Sequence, residues 1–142
     1  MVNTFLPYPD FQESARVLDM RRLGKQRVEA YQILRTLTGA AQGWSNHPCA
    51  ALWRGYEPAL AQYALVVCVE WRARGYKDTV YDKVRAMFPD VSEHTEALAL
   101  PPLIGREDFH LSHRSNLLRK DFMHYVRFPE FDVAHDLPYV WS

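Results

Sequence analysis

The run from Ala59 to Trp71, ALAQYALVVCVEW, is the strongest constraint on any fold this chain adopts, because it is apolar on nearly every side of a helix. A helix of that kind has no face to give to water and must be wrapped by other elements. Glu57-Pro58 is a helix start and Gly75 a stop, so the spacing predicts one helix across this stretch, and it is the expected central core helix. Gln62 and Glu70 interrupt it well short of the ~20 apolar residues that a membrane span requires. A soluble protein with no membrane partner is expected.

The remaining segments supply helices to surround it. Asp10-Phe-Gln-Glu13 is a capping box that begins a short helix near Phe11, after an extended opening that carries Pro7 and Pro9. A longer helix is expected from about Met20 to Thr38, ended by Gly39. His47-Pro48 opens a short helix through Trp53, after a loop from Gly43 to Asn46. Asp78 caps another from Thr79 to Met87. The stretch from Val91 to Gly105 reads as an irregular connection, and a last helix from about Glu107 to Tyr125 precedes the aromatic tail FPEFDVAHDLPYVWS. Alternating strand patterns are scarce, so the expected class is all-α. At 142 residues with 48% hydrophobic content, residues 1–142 suit one compact helical bundle in a single domain, with a long core helix and an irregular C-terminal tail. Cys49 and Cys68 lie in apolar surroundings and suit buried thiols. The opening MVNTFLPYPDF has no basic stretch leading into an apolar one, so the cytoplasm is the expected location, and a monomer the expected state.

Formal net charge is zero, which argues against a protein that holds nucleic acid by bulk electrostatics alone. The distribution is uneven. Arg16, Arg21, Arg22, Lys25, Arg27 and Arg35 stand against only Asp19 and Glu29 in the second helix and the turn before it. Stepping about 100° per residue puts Leu23, Ala30, Ile33, Leu34 and Leu37 on one side of that helix. Asp19 and Gln26 project from the middle of the same apolar side, flanked by Arg22, Arg27 and Glu29. Burying such groups without partners costs several kcal/mol, so they either pair or line a cleft. Asp19 is equally a helix cap, and Arg22, Gln26 and Glu29 equally an internal network. The density of polar groups favours a site.

Two other clusters could complete it. Trp44, His47, Trp53, Arg54 and Tyr56 combine aromatic rings with arginine, which suits a stacked base and its phosphate, although core tryptophans and a capping histidine fit as well. His110, Arg114, Leu117 and Asp121 lie along one side of the last helix with His113 and Lys120 adjacent, a cationic strip for an anionic partner or an ordinary solvated face. His110 and His113 are spaced to share a metal, but no third ligand is evident, so no metal and no cofactor are expected.

Taken in order, TFLPYPDF, LDxxRLGKQRVE, GWxNHP, WRGYE, ARGYKD, PPL, SHRSNLLRKD and DLPYVW resemble a widespread bacterial family assigned to the pyrimidine dimer DNA glycosylase group, typified by phage endonuclease V. The resemblance implies a small helical glycosylase and lyase acting on damaged pyrimidines in duplex DNA. It also implies a nucleophile at the α-amine of the mature N-terminus, assisted by a glutamate in an Arg-Glu-Leu-Pro-Arg-Val segment. Here the nearest match is Arg21-Arg22-Leu23-Gly24-Lys25, with Arg22 at the glutamate position, so Asp19 and Glu29 are the available carboxylates. Val2 is small enough for Met1 to be removed, exposing its amine.

The leading expectation is therefore a DNA repair enzyme that cleaves the N-glycosidic bond of a damaged or modified pyrimidine. Val2, Asp19, Arg22, Gln26 and Glu29 would form its catalytic group. Arg21, Lys25, Arg27, His47, Arg54, His110, His113, Arg114 and Lys120 would hold DNA, and Trp44, Trp53 and Tyr56 would stack against an extruded base. A non-catalytic nucleic-acid-binding protein on the same scaffold and an enzyme acting on a small nucleotide are the alternatives.

Overall fold

The computed structural model describes residues 2–43 and 45–142, and the described residues form helices and one 3₁₀ turn with no strand. At the centre is α4 (Glu57–Ala73), in which every residue from Ala59 to Cys68 except Gln62 is buried. Its alanines, Ala59, Ala61 and Ala64, keep it thin enough for neighbouring helices to approach closely. Packed on it are α1 (Phe11–Val17), α2 (Met20–Leu37) and α5 (Val80–Met87), while α3 (Pro48–Trp53) touches both α2 and α4. Each fully buried side chain such as Leu60 or Leu65 contributes about 1.5–3 kcal/mol, so this helix carries much of the apolar stabilisation. Gln62 donates to the carbonyls of Ser92 and Thr95 and straps the irregular 91–105 segment onto the helix. Among the described residues no helix is long and apolar enough to cross a membrane. Cys49 and Cys68 are free and buried, as expected.

Helix ends follow the capping residues. Asp10 accepts from the Glu13 amide at the start of α1, and Gly39, at φ 83°, turns the chain out of α2 in a conformation that side-chain-bearing residues rarely adopt. The last helix differs from expectation. It divides into α6 (Glu107–Lys120) and a single turn, α7 (Phe122–Tyr125), because Asp121 leaves helical geometry and its carboxylate accepts from the His124 amide. Aspartate competes for backbone amides in this way, which favours caps over helix interiors.

Residues 2–6 have no secondary structure, yet all five are buried. Their amides and carbonyls have no ladder to join, so side chains must satisfy them. Much of that work falls to α6. Leu6 N–H donates to His113 Nδ1 at 2.8 Å, His110 Nδ1–H donates to Leu6 O at 2.7 Å, and Arg114 Nη1 donates to Pro7 O at 2.7 Å. The far side of α6 does the same for the tail: Ser115 Oγ accepts from Leu137 N, Asn116 Nδ2 donates to Leu137 O, and Ser112 Oγ accepts from Val140 N. A helix full of histidine, serine, arginine and asparagine is thereby buried between two extended segments.

Candidate active site

The turn before α2 begins one wall of the site. Asp19 caps the helix: its carboxylate accepts from the Arg22 amide at 3.4 Å, from Arg22 Nη1 at 3.1 Å and from the Tyr125 hydroxyl at 2.5 Å, while its own amide donates to the Tyr125 oxygen. Burial alone would raise its pKa, but the Tyr125 hydrogen bond and the Arg22 charge outweigh it, and the carboxyl sits below its ordinary range. Asp19 is thus an ionised cap with its acceptors engaged. Gln26 is engaged too. Its Oε1 accepts from Phe5 N at 2.7 Å and lies 2.8 Å from the buried Tyr63 hydroxyl, which also reaches Phe5 O. It fixes the extended segment and has no oxygen free to orient a water.

Glu29 lies ten residues beyond Asp19, about 15 Å along the helix. Its Oε2 accepts from Asn3 N at 3.2 Å, one residue from Val2. It is half-buried, and that desolvation raises its pKa despite the Asn3 amide and the nearby Lys25 charge. Val2, Met20, Gly24, Lys25, Glu29 and Trp71 line a cleft of about 540 Å³ between α2 and the C-terminal end of α4. Trp71 is locked in place there. Tyr76 stacks on it at 4.2 Å between ring centroids, and the Arg27 guanidinium lies over the ring, 4.6 Å from its centroid. Gly24 makes this possible, since a Cβ at that position would come within 3.0 Å of the Trp71 ring. A second groove of about 470 Å³ opens between α1 and the 91–105 segment, but Asp10, Glu93 and Glu96 line it and would repel a polyanion.

Cations gather beside the first cleft. Lys120, at the end of α6, faces Arg22, Arg119 and Lys25, and its pKa is lowered by burial first and by those neighbouring charges second. Bringing an anion among them would relieve both the repulsion and the unmet charge.

The sequence model of the family described as pyrimidine dimer DNA glycosylase matches residues 2–84. The chain belongs to this family. No curated protein and no solved structure matches it. The family match spans the buried N-terminal segment, α1 to α4 and the start of α5, and with them every residue that lines the cleft. In this pyrimidine dimer DNA glycosylase family member, Arg22 at the expected glutamate position pairs with Asp19, whereas the carboxylate beside residue 2 comes from Glu29, seven residues later.

The cleft brings together Val2, Arg21, Lys25 and Glu29, Arg22 and Lys120 lie near Lys25, and most of the other expected site residues lie elsewhere. Trp53 is fully buried and donates to Thr4 Oγ1, so it offers no surface to a base. Trp44 lies outside the described residues. Tyr56 is half-buried and begins α4, His47 caps α3 through Cys49 N, and the exposed Arg54 bonds Ser45 O. His110, His113 and Arg114 do not form a cationic strip. They are buried, and burial drives the pKa of His113 down to about 3 and lowers that of His110, so both rings stay neutral while they hold Leu6. Among the described residues no group of three or more metal-ligating side chains is placed to hold an ion. Arg27 is pinned to the buried Asp78 at 2.5 Å and is not free for phosphate. Sequence reasoning missed Trp71. The available signal was Gly24, a glycine inside a helix, which marks the close approach of another group.

Proposed function

We propose that the chain is a DNA glycosylase that removes a damaged or modified pyrimidine, with cleavage taking place beside Val2 and Glu29 and a lyase step following. The observation that carries this reading is the Glu29 carboxylate, half-buried in the cleft and bonded to the Asn3 amide next to Val2. The nucleophile is the α-amine of Val2, freed by removal of Met1; α-amines in general have pKa values near ~8, low enough for a neutral fraction at physiological pH. It attacks C1′ of the deoxyribose as the C1′–N bond to the base breaks. The base departs with the bonding electrons, and the proton lost by the amine passes through Glu29 to the base. The nitrogen lone pair then forms a second bond to C1′ as the C1′–O4′ bond breaks, O4′ takes a proton from water, and the opened sugar is left joined to Val2 as a protonated imine. Glu29 then takes a proton from C2′, and the electrons released expel the 3′ phosphate. A carboxyl whose pKa is raised by burial suits both transfers better than an ordinary one. Lys25, Arg21 and Lys120 hold the flanking phosphates, and the exposed edge of Trp71 bounds the space left for the sugar and base.

Borohydride reduction with an abasic-site duplex tests the chemistry. The expected result is a covalent adduct mapped to the Val2 amine, with Glu29→Gln lowering its yield about a hundredfold while binding persists. Absence of both an adduct and an abasic product on every lesion duplex, with intact binding, overturns the enzyme reading.

A further inference from the structure

The single turn α7 is mounted rigidly and left uncovered. On its inner side, Tyr125 bonds Asp19 and stacks on Phe131, and His124 Nε2 donates to Val17 O at 2.8 Å. On its outer side, Met123 is 78% exposed, Phe122 52% and Val126 49%. Three large apolar side chains held in water on a firmly anchored turn are unusual for a surface with nothing to bind. The Tyr125–Asp19 bond seats this turn beside the start of α2, whose Met20 lines the cleft, and Lys120 precedes it directly.

We infer that Phe122 and Met123 form a wedge that enters the base stack of duplex DNA beside the nucleotide held in the cleft. This rests on the DNA reading of the cleft and extends it to how the duplex is opened. Charge selects the occupant. Lys120 stands before the apolar tip and Arg127 follows it, Arg22 shares the Asp19 carboxylate with Tyr125 of the turn, and the carboxylate at the start of the turn, Asp121, is used as a cap. An apolar tip with cations before and after it matches a polymer whose outside is phosphate and whose inside is stacked rings. Inserting such side chains at a base step unstacks and kinks the duplex, which is what chemistry on a base requires.

The test uses the full chain and a thymine-dimer duplex with a fluorescent adenine analogue, one that brightens on unstacking, placed next to the dimer. The wild type should brighten the probe on binding. The double variant Phe122→Ser, Met123→Ser should bind within about threefold of wild type, because both residues are exposed, and lose the brightening. Full brightening with the variant overturns the wedge and leaves the glycosylase reading standing. A wild type that neither binds nor brightens removes both. Sedimentation that shows a wild-type dimer abolished by the double variant assigns the tip to a second copy of the chain and overturns the wedge. A circular dichroism spectrum unchanged between the two proteins confirms that the comparison is made on one fold.

Discussion

α4 and α6 are both long buried helices, and they are buried for opposite reasons. α4 shows its neighbours mostly alanine, leucine and valine, and apart from the bonds Gln62 and Tyr63 make to irregular chain those neighbours are helices whose own backbones are already satisfied. α6 shows histidine, serine, arginine and asparagine, and its neighbours are extended segments whose backbones are not. A helix packed on helices needs only to exclude water, whereas a helix packed on irregular chain must also supply donors and acceptors. The first kind of burial is indifferent to pH. The second is not.

Breaking each helix in its own way should expose that difference. Leu65→Ala in α4 should lower the unfolding free energy by about 2–5 kcal/mol. The loss should be the same at about pH 5 and about pH 7.5 in urea titrations, since the removed group does not titrate. α6 should respond to acid instead. His113 is held neutral with a pKa of about 3 and His110 is also lowered, whereas both protonate near their ordinary 6.5 when the chain unfolds. Below that value the unfolded chain binds protons that the folded one refuses. Stability is therefore complete well above pH 6.5 and falls as the pH drops toward 3, by up to about 1.4 kcal/mol per pH unit from His113, with His110 adding to the fall in the same direction. His113→Leu leaves the Leu6 amide unpaired and should cost about 1–3 kcal/mol near neutrality. It should also make the acid slope shallower, and an unchanged slope would remove His113 as its source. The smallest effect is expected at the tail: Ser115→Ala strips the acceptor from Leu137 N, costs about 1 kcal/mol, and should speed hydrogen exchange at Leu137 while amides of α4 keep their protection.

Hydropathy made α4 legible, and capping residues placed the starts of α1, α2 and α3. The misplaced polarity of Asp19 and Gln26, with Glu29 beside them, was equally visible, but not its object, because a helical wheel describes one element and not the unsatisfied amides of whatever lies against it. The same blindness turned His110, His113 and Arg114 into a cationic surface. The missing clue was the opening MVNTFLPY, apolar and without helix or hairpin signals, which can be buried only if other elements lend it polar side chains. Trp71 was hidden differently. It ends an apolar run and counts there as core, and only its pairing with Gly24 across two helices makes it a wall of the cleft.

The hold of α6 on Leu6 also governs how the molecule is made. Leu6 meets its partners 104 and 107 residues further along the chain, so it waits for them through most of synthesis and is among the last residues to find its place. Contacts of such separation are slow to close, because the intervening chain must be ordered first. Until α6 forms, Leu6 has no partner for its amide or its carbonyl and Pro7 none for its carbonyl, even though Glu29 and Gln26 of α2 can already meet the amides of Asn3 and Phe5. A chain cut short before α6 would therefore carry the whole of the cleft lining and still lack the helix that holds Leu6 and Pro7 in place.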